Sequence, residues 1–245
     1  MPAPAETGLL VEPEMDAVSI ARDRVLAAAL DAVMAARLDA ASSPGSGAPT
    51  PDADAIALRA FLAGNAGFRQ AAILRAVWGR LTAATQPPLV ACGPAAQQAA
   101  ADRYGLPVKI VAEPDAALAE ALTGVRAVID IAAPKPWWGR LLALPELQVI
   151  AALPDDTLGL PRALVVSKET GGPTGDDRTF WVTDSVLPDA KLVEALVATG
   201  LVGHPLIALG GLKLVVLAGY VQANDGRLSA APGALKGVIG AAPVY

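Results

Sequence analysis

From Leu89 onward the chain alternates short apolar runs with helical stretches, and this alternation restricts the fold more than any other feature of the sequence. Leu89-Val90-Ala91-Cys92 runs into the turn Gly93-Pro94, Ala95 to Tyr104 reads as a helix closed by Gly105, and Val108-Lys109-Ile110-Val111 is the next apolar run. The pattern continues with a helix from Asp115 to Leu122, a strand over Ala127-Val128-Ile129-Asp130-Ile131, a helix from Trp137 to Leu144 and a strand from Leu147 to Leu153. Apolar runs this short, bounded by Gly and Pro, are strands, and strands separated by helices predict a doubly wound α/β domain. Such sheets take ligands outside the carboxyl ends of their strands.

Before Leu89 the period is helical throughout. Asp16 to Ala41 contains neither Gly nor Pro and repeats its apolar residues at helical spacing. The stretch from Ser42 to Pro51 is a Gly/Pro/Ser-rich break, Asp52 or Asp54 caps a second helix through Leu62, and Phe68 to Ala84 supplies a third, with Ile73, Leu74, Val77, Trp78 and Leu81 on its apolar face. Three helices joined by loops predict a helical module.

After Leu153 the informative stretch is Gly171-Gly172-Pro173-Thr174-Gly175-Asp176-Asp177-Arg178-Thr179, which leads into Phe180-Trp181-Val182. A Gly/Pro turn, a block of hydrogen-bonding side chains and a strand start place polar groups at the end of a sheet. Two readings stay open there: a ligand site, or a loop whose aspartates cap their own backbone. Beyond it, Asp189 to Thr199 reads as a helix, Leu206 to Leu209 and Leu212 to Val221 as strands, and Asn224-Asp225-Gly226 as a turn.

Composition narrows the function classes. A formal charge of -5 argues against nucleic acid as a partner. Cys92 and His204 are the only residues of their kinds, which excludes a disulfide framework and a cysteine- or histidine-cluster metal site. No cofactor is expected. The N-terminus has no basic segment ahead of an apolar one, and the most apolar run, Pro205 to Val221, is interrupted by Gly210-Gly211 and Lys213. These features predict a cytoplasmic protein without a membrane span.

Several of these stretches resemble known enzymes. Thr50-Pro51-Asp52-Ala53-Asp54-Ala55 and Leu74-Arg75-Ala76-Val77-Trp78-Gly79-Arg80 are similar to the R-P-x-R-E-A and R-x-I-W-R-E patterns of the AroQ class of chorismate mutase, with Thr85 where a small hydroxyl residue falls. Gly93-Pro94, Ala99-Ala100 and Tyr104-Gly105 resemble the start of the prephenate dehydratases. Arg162-Ala163-Leu164-Val165-Val166 followed by Asp177-Arg178-Thr179-Phe180 is similar in order to that family's T-R-F and D-K-T-S patterns, which lead into an ACT domain. Both active-site patterns are degenerate here: Pro161 stands where the dehydratase has its threonine, and Ala53-Asp54 where the mutase has an arginine and a glutamate.

The resemblance implies a multi-domain α and α/β protein. An N-terminal three-helix AroQ-like module would occupy residues 1–86, a dehydratase-like α/β domain 87–182, and a small α+β, ACT-like tail 183–245. It also implies a homodimer, a role in aromatic amino acid biosynthesis and a small carboxylate partner such as chorismate or prephenate. Conversion of chorismate to prephenate needs no covalent catalyst, only a held conformer and positive charge against the ether oxygen. Arginine suits that work, and up to Thr85 the chain has seven arginines and no lysine. The expected catalytic set is Arg37, Asp54, Arg75 and Thr85; Arg22, Arg59, Gly93, Asp177, Arg178 and Thr179 are expected to bind substrate. Lys135, Trp137 and Trp138 form a second candidate rim, or a packing knob. The alternative function is a catalytically inactive ligand-binding or regulatory protein.

Overall fold

The computed structural model describes residues 21, 24, 25, 27, 28, 30–35, 50–65, 68–84, 87–105, 108–156 and 159–245. Arg22, Arg37 and Thr85 lie outside the described residues, as does most of the expected first helix and the break after it. A helix that includes residues 30–35 (α1) is followed by α2 (Pro51–Asn65) and α3 (Phe68–Ala83). Asp52 and Asp54 fall in the first turn of α2, where carboxylates oppose the positive end of the helix. Thr50 hydrogen-bonds the Asp52 carboxyl and holds it below its ordinary pKa.

Nine strands then form one mixed sheet: β1 (Leu89–Cys92), β2 (Lys109–Val111), β3 (Arg126–Asp130), β4 (Gln148–Leu153), β5 (Ala163–Ser167), β6 (Asp177–Thr183), β7 (Gly203–Leu209), β8 (Leu212–Ala218) and β9 (Lys236–Pro243), in the order β2-β1-β3-β5-β4-β9-β6-β8-β7. Between them lie α4 (Pro94–Tyr104), α5 (Pro114–Leu122), a 3-10 helix (Trp137–Ala143), α6 (Asp189–Ala198) and the one-turn α7 (Gly226–Ser229). Pro at the first position and a positive-φ Gly105 at the end delimit α4.

The expected architecture of a three-helix module followed by separate α/β and α+β units is not what forms. The sheet is continuous across both expected units, because β9 lies between β4 and β6. It pairs with β6 from Asp177↔Pro243 to Thr183↔Lys236 and meets β4 in parallel at Val149↔Gly240. Gly240 makes that junction possible: its φ is +134°, and a Cβ there would collide with the Val149 main chain. A boundary after residue 182 would fall inside β6. The helices are not a separate module either, since α3 packs along α4 and Arg59 of α2 reaches the turn before β6. The parallel, doubly wound expectation is corrected as well. β5 runs antiparallel between β3 and β4, and the described residues between β4 and β5 form no crossover helix of the kind a parallel neighbour needs.

Alternation along the strands sorts the core into two faces. Val90, Cys92, Ile129, Leu164, Val166, Phe180, Val182, Leu214 and Val216 point to the face covered by α5 and the 3-10 helix. Ala91, Val128, Ala163 and Val165 point to the opposite face under α4, and Trp181, Val215 and Leu217 to the same face under α6. A fourth cluster, of Val33, Leu58, Leu62, Leu74 and Trp78, joins α1, α2 and α3. Trp137 and Trp138 are fully buried in the first face, and the Trp137 indole donates to the Asp130 carbonyl at 2.8 Å, so the expected rim is a packing knob.

Candidate functional site

The carboxyl end of β4, the segment after it and the residue before β5 open into a cleft of about 560 Å³, walled on the outside by α3 and α4. This volume lies within the range of small-molecule sites. The wall from α4 is Ala95, Gln98, Ala99 and Asp102, four positions on one helical face, and the wall from α3 is Ala72, Arg75 and Ala76. Small residues on both helices leave room between them. Close packing of the helices below the cleft depends on Gly79, whose Cβ would overlap the Arg103 carbonyl and guanidinium.

Most of the charge around the cleft is already paired. Arg103 Nε bonds Asp155 Oδ2 at 2.6 Å, and its Nη1 donates to the Arg75 carbonyl at 2.5 Å, tying α4 to both β4 and α3. Burial works to lower the pKa of that guanidinium, but Asp155 beside it more than offsets burial and raises it. Arg75 donates to the main-chain oxygen of Tyr245 at 3.2 Å and faces Asp156 at 3.5 Å and Asp155 at 3.8 Å. Two arginines and two aspartates therefore cancel. Arg103 and Arg59 both stack on Tyr245, and burial raises the pKa of its phenol.

Arg162 is different. Its N–H donates to the Leu153 carbonyl at 2.7 Å and its carbonyl accepts from Ile131 N at 2.9 Å, so its backbone is clamped between the ends of β4 and β3. The side chain is exposed, lines the cleft, and makes no hydrogen bond or ion pair with any described residue. Asp102 and Gln98, also exposed on the cleft wall, likewise have no such partner among the described residues.

Of the expected site residues that are described, Arg75 alone lines the cleft, and the others are committed elsewhere. Arg59 spends all three guanidinium nitrogens on the carbonyls of Thr174 (2.6 Å), Asp176 (2.9 Å) and Val244 (2.8 Å) and on the Thr174 hydroxyl (3.1 Å). Asp54 accepts from the Trp78 indole at 3.1 Å. Asp177 closes its own turn, accepting from Thr174 N at 2.8 Å and from the Thr174 hydroxyl at 2.7 Å. Thr179 is buried, donating to the Gly219 carbonyl at 2.7 Å and accepting from Val221 N at 2.8 Å. Arg178 donates to the carbonyls of Asp156 and Gly159, both at 3.1 Å, which anchors the rim of the cleft instead of reaching a ligand.

Gly93 adopts φ +93° where a Cβ would come within 2.6 Å of the Asp130 Cβ. The Asp130 carboxylate accepts from Ala95 N at 3.3 Å and Ala132 N at 2.9 Å, so the protein's own acid fills the expected anion position at the start of α4. A second cleft, of about 590 Å³, opens where β4 and β9 diverge. Its one cation, Lys236, is held by the carbonyls of Ser229 and Ala231. Among its described lining residues it offers an anion no unpaired cation. Among the described residues no His/Cys/Asp/Glu group is arranged to hold a metal ion, and no helix is long and apolar enough to cross a membrane.

No family model, curated protein or solved structure matches this chain.

Proposed function

We propose that this protein binds a small carboxylate-bearing molecule in the cleft between α3, α4 and the carboxyl end of β4. The observation that carries this reading is Arg162, a guanidinium with a clamped backbone and no partner among the described residues, on a cleft whose other arginines are neutralised. A planar fork with no competing partner among the described residues suits a carboxylate bidentately. Pro154 and Leu160, both exposed, give the apolar remainder of a ligand a surface to cover.

Chorismate and prephenate belong to this ligand class. The pericyclic conversion asks for more than the cleft offers, because a dicarboxylate also needs a second uncommitted cation and Arg75 is held by Asp155, Asp156 and Tyr245. The reading is therefore binding without rearrangement.

The test is calorimetric titration with chorismate, prephenate and monocarboxylates at low salt, on the wild type and on Arg162→Ala. A loss of about tenfold in affinity is expected for the variant, equivalent to about 1.4 kcal/mol for one charge-assisted pair at an exposed residue. Equal affinities in the two proteins, or no binding of any carboxylate at millimolar concentration, would overturn the reading. Loss of chorismate absorbance on incubation with the wild type would replace binding with isomerase activity.

A further inference from the structure

Arg162 is not the only uncommitted charge on the cleft. Asp102 stands on the α4 wall one helical turn beyond Gln98, exposed and without a hydrogen bond or ion pair to any described residue. The cleft's remaining charges, Arg75 and Arg103 against Asp155 and Asp156, offset one another. What is left among the described lining residues is one cation, one anion and one amide, on a single cavity beside the exposed apolar residues Pro154 and Leu160. Arg162 and Asp102 do not pair with each other, so each presents its charge to whatever enters.

A simple carboxylate would gain Arg162 and meet repulsion from Asp102. A simple amine would meet the reverse. A molecule carrying an ammonium and a carboxylate on one carbon has a partner of opposite charge on this cleft for each, and an apolar group on it would cover Leu160, which is 48% exposed. From this we infer that the ligand class of the cleft is a zwitterionic α-amino acid with an apolar side chain, its carboxylate on Arg162 and its ammonium on Asp102. Gln98, with both an N–H donor and a carbonyl acceptor on the same wall, can serve either group. The inference rests on the proposed carboxylate site and narrows it.

The experiment separates the two ideas. L-leucine, its deamino analogue 4-methylpentanoate and its decarboxy analogue 3-methylbutylamine are titrated calorimetrically into the wild type, Arg162→Gln and Asp102→Asn at neutral pH and low salt. Neither side chain holds another described residue, so both variants should melt with the wild type, and a thermal scan checks this. Leucine should bind about tenfold or more tightly than 4-methylpentanoate to the wild type. Asp102→Asn should remove that preference by weakening leucine and not 4-methylpentanoate, and Arg162→Gln should weaken both. A wild type that binds 4-methylpentanoate as tightly as leucine, or an Asp102→Asn variant that keeps the preference, would overturn the amino-acid assignment and leave the carboxylate site standing. Failure of all three compounds to bind at tens of millimolar would overturn both.

Discussion

Gly79→Ala is the substitution on which sequence and structure disagree in sign. In a helix interior alanine is better than glycine by about 1 kcal/mol, so propensity alone expects a more stable protein. The contact expects the opposite. Gly79 is buried where α3 crosses α4, and a Cβ there would overlap both the Arg103 carbonyl oxygen and its Nη1. The guanidinium end can swing aside, but the carbonyl belongs to α4 and moves only with the helix. Separating the helices costs about 1–3 kcal/mol as overpacking. It also pulls Arg103 from the Arg75 carbonyl at 2.5 Å and from Asp155 at 2.6 Å, and breaking a buried pair costs about 3–5 kcal/mol when complete. A partial break plus overpacking, less the propensity gain, leaves a net loss of about 2–4 kcal/mol. For a chain of this length that lowers the melting temperature by about 4–16 °C. Thermal and urea unfolding of the two proteins measure it. An alanine variant that melts at or above the wild type would show that propensity prevails and that the crossing has slack, which would refute the account of how α3 is placed.

Other consequences follow from the buried polar groups. Thr179→Val keeps the shape but orphans the Val221 N–H and the Gly219 carbonyl, so it should cost about 2–4 kcal/mol, whereas Thr179→Ser should retain most of the stability; equal losses in the two variants would count against the hydrogen-bond account. Burial pushes the Glu169 carboxyl up, but the Arg126 guanidinium at 2.5 and 2.7 Å and the Ser167 hydroxyl at 3.0 Å outweigh it, and the net pKa is lowered. A lowered carboxyl contributes stability above its unfolded pKa of about 4.3 and loses it as pH falls through the folded value. Glu169→Gln should therefore be about 1–2 kcal/mol less stable than the wild type in urea at pH 7, with a gap that narrows below pH 4; a gap unchanged with pH would refute the linkage.

The local elements from Leu89 to Leu153 were legible because each carries its own periodicity and punctuation: Gly93-Pro94 before α4, Gly105 after it, Pro114 at the start of α5. Direction and continuity were not. Nothing in Ala163–Ser167 says that it runs antiparallel; that follows from the short connection after β4, whose described residues form no helix. β9 was hidden for a different reason. Lys236–Pro243 contains Gly237, Gly240 and Pro243, poor strand formers in isolation, and becomes a strand because β6 supplies a full ladder and Gly240 clears Val149. The turn at Thr174 to Asp177 allowed a ligand site or self-capping, and the Asp177 bonds to Thr174 select capping.

The arginines show most clearly why residue type alone does not locate a site. Arginine is useful for a buried anion because it brings five donors in a rigid fork, and for the same reason it is useful wherever carbonyls collect at the ends of loops. Arg59 meets the carbonyls of Thr174, Asp176 and Val244, partners more than a hundred residues away in sequence, and no local pattern around it announces them. Once its nitrogens are filled, moving it to a ligand would mean breaking several charge-assisted bonds to make two. Arg178 is held by Asp156 and Gly159 in the same way, and Arg103 by Asp155 and the Arg75 carbonyl. What distinguishes Arg162 is that its backbone, and not its side chain, satisfies the surrounding strand ends. A fixed backbone and a fork unfilled by any described residue favour a carboxylate, and on this cleft they coincide at Arg162.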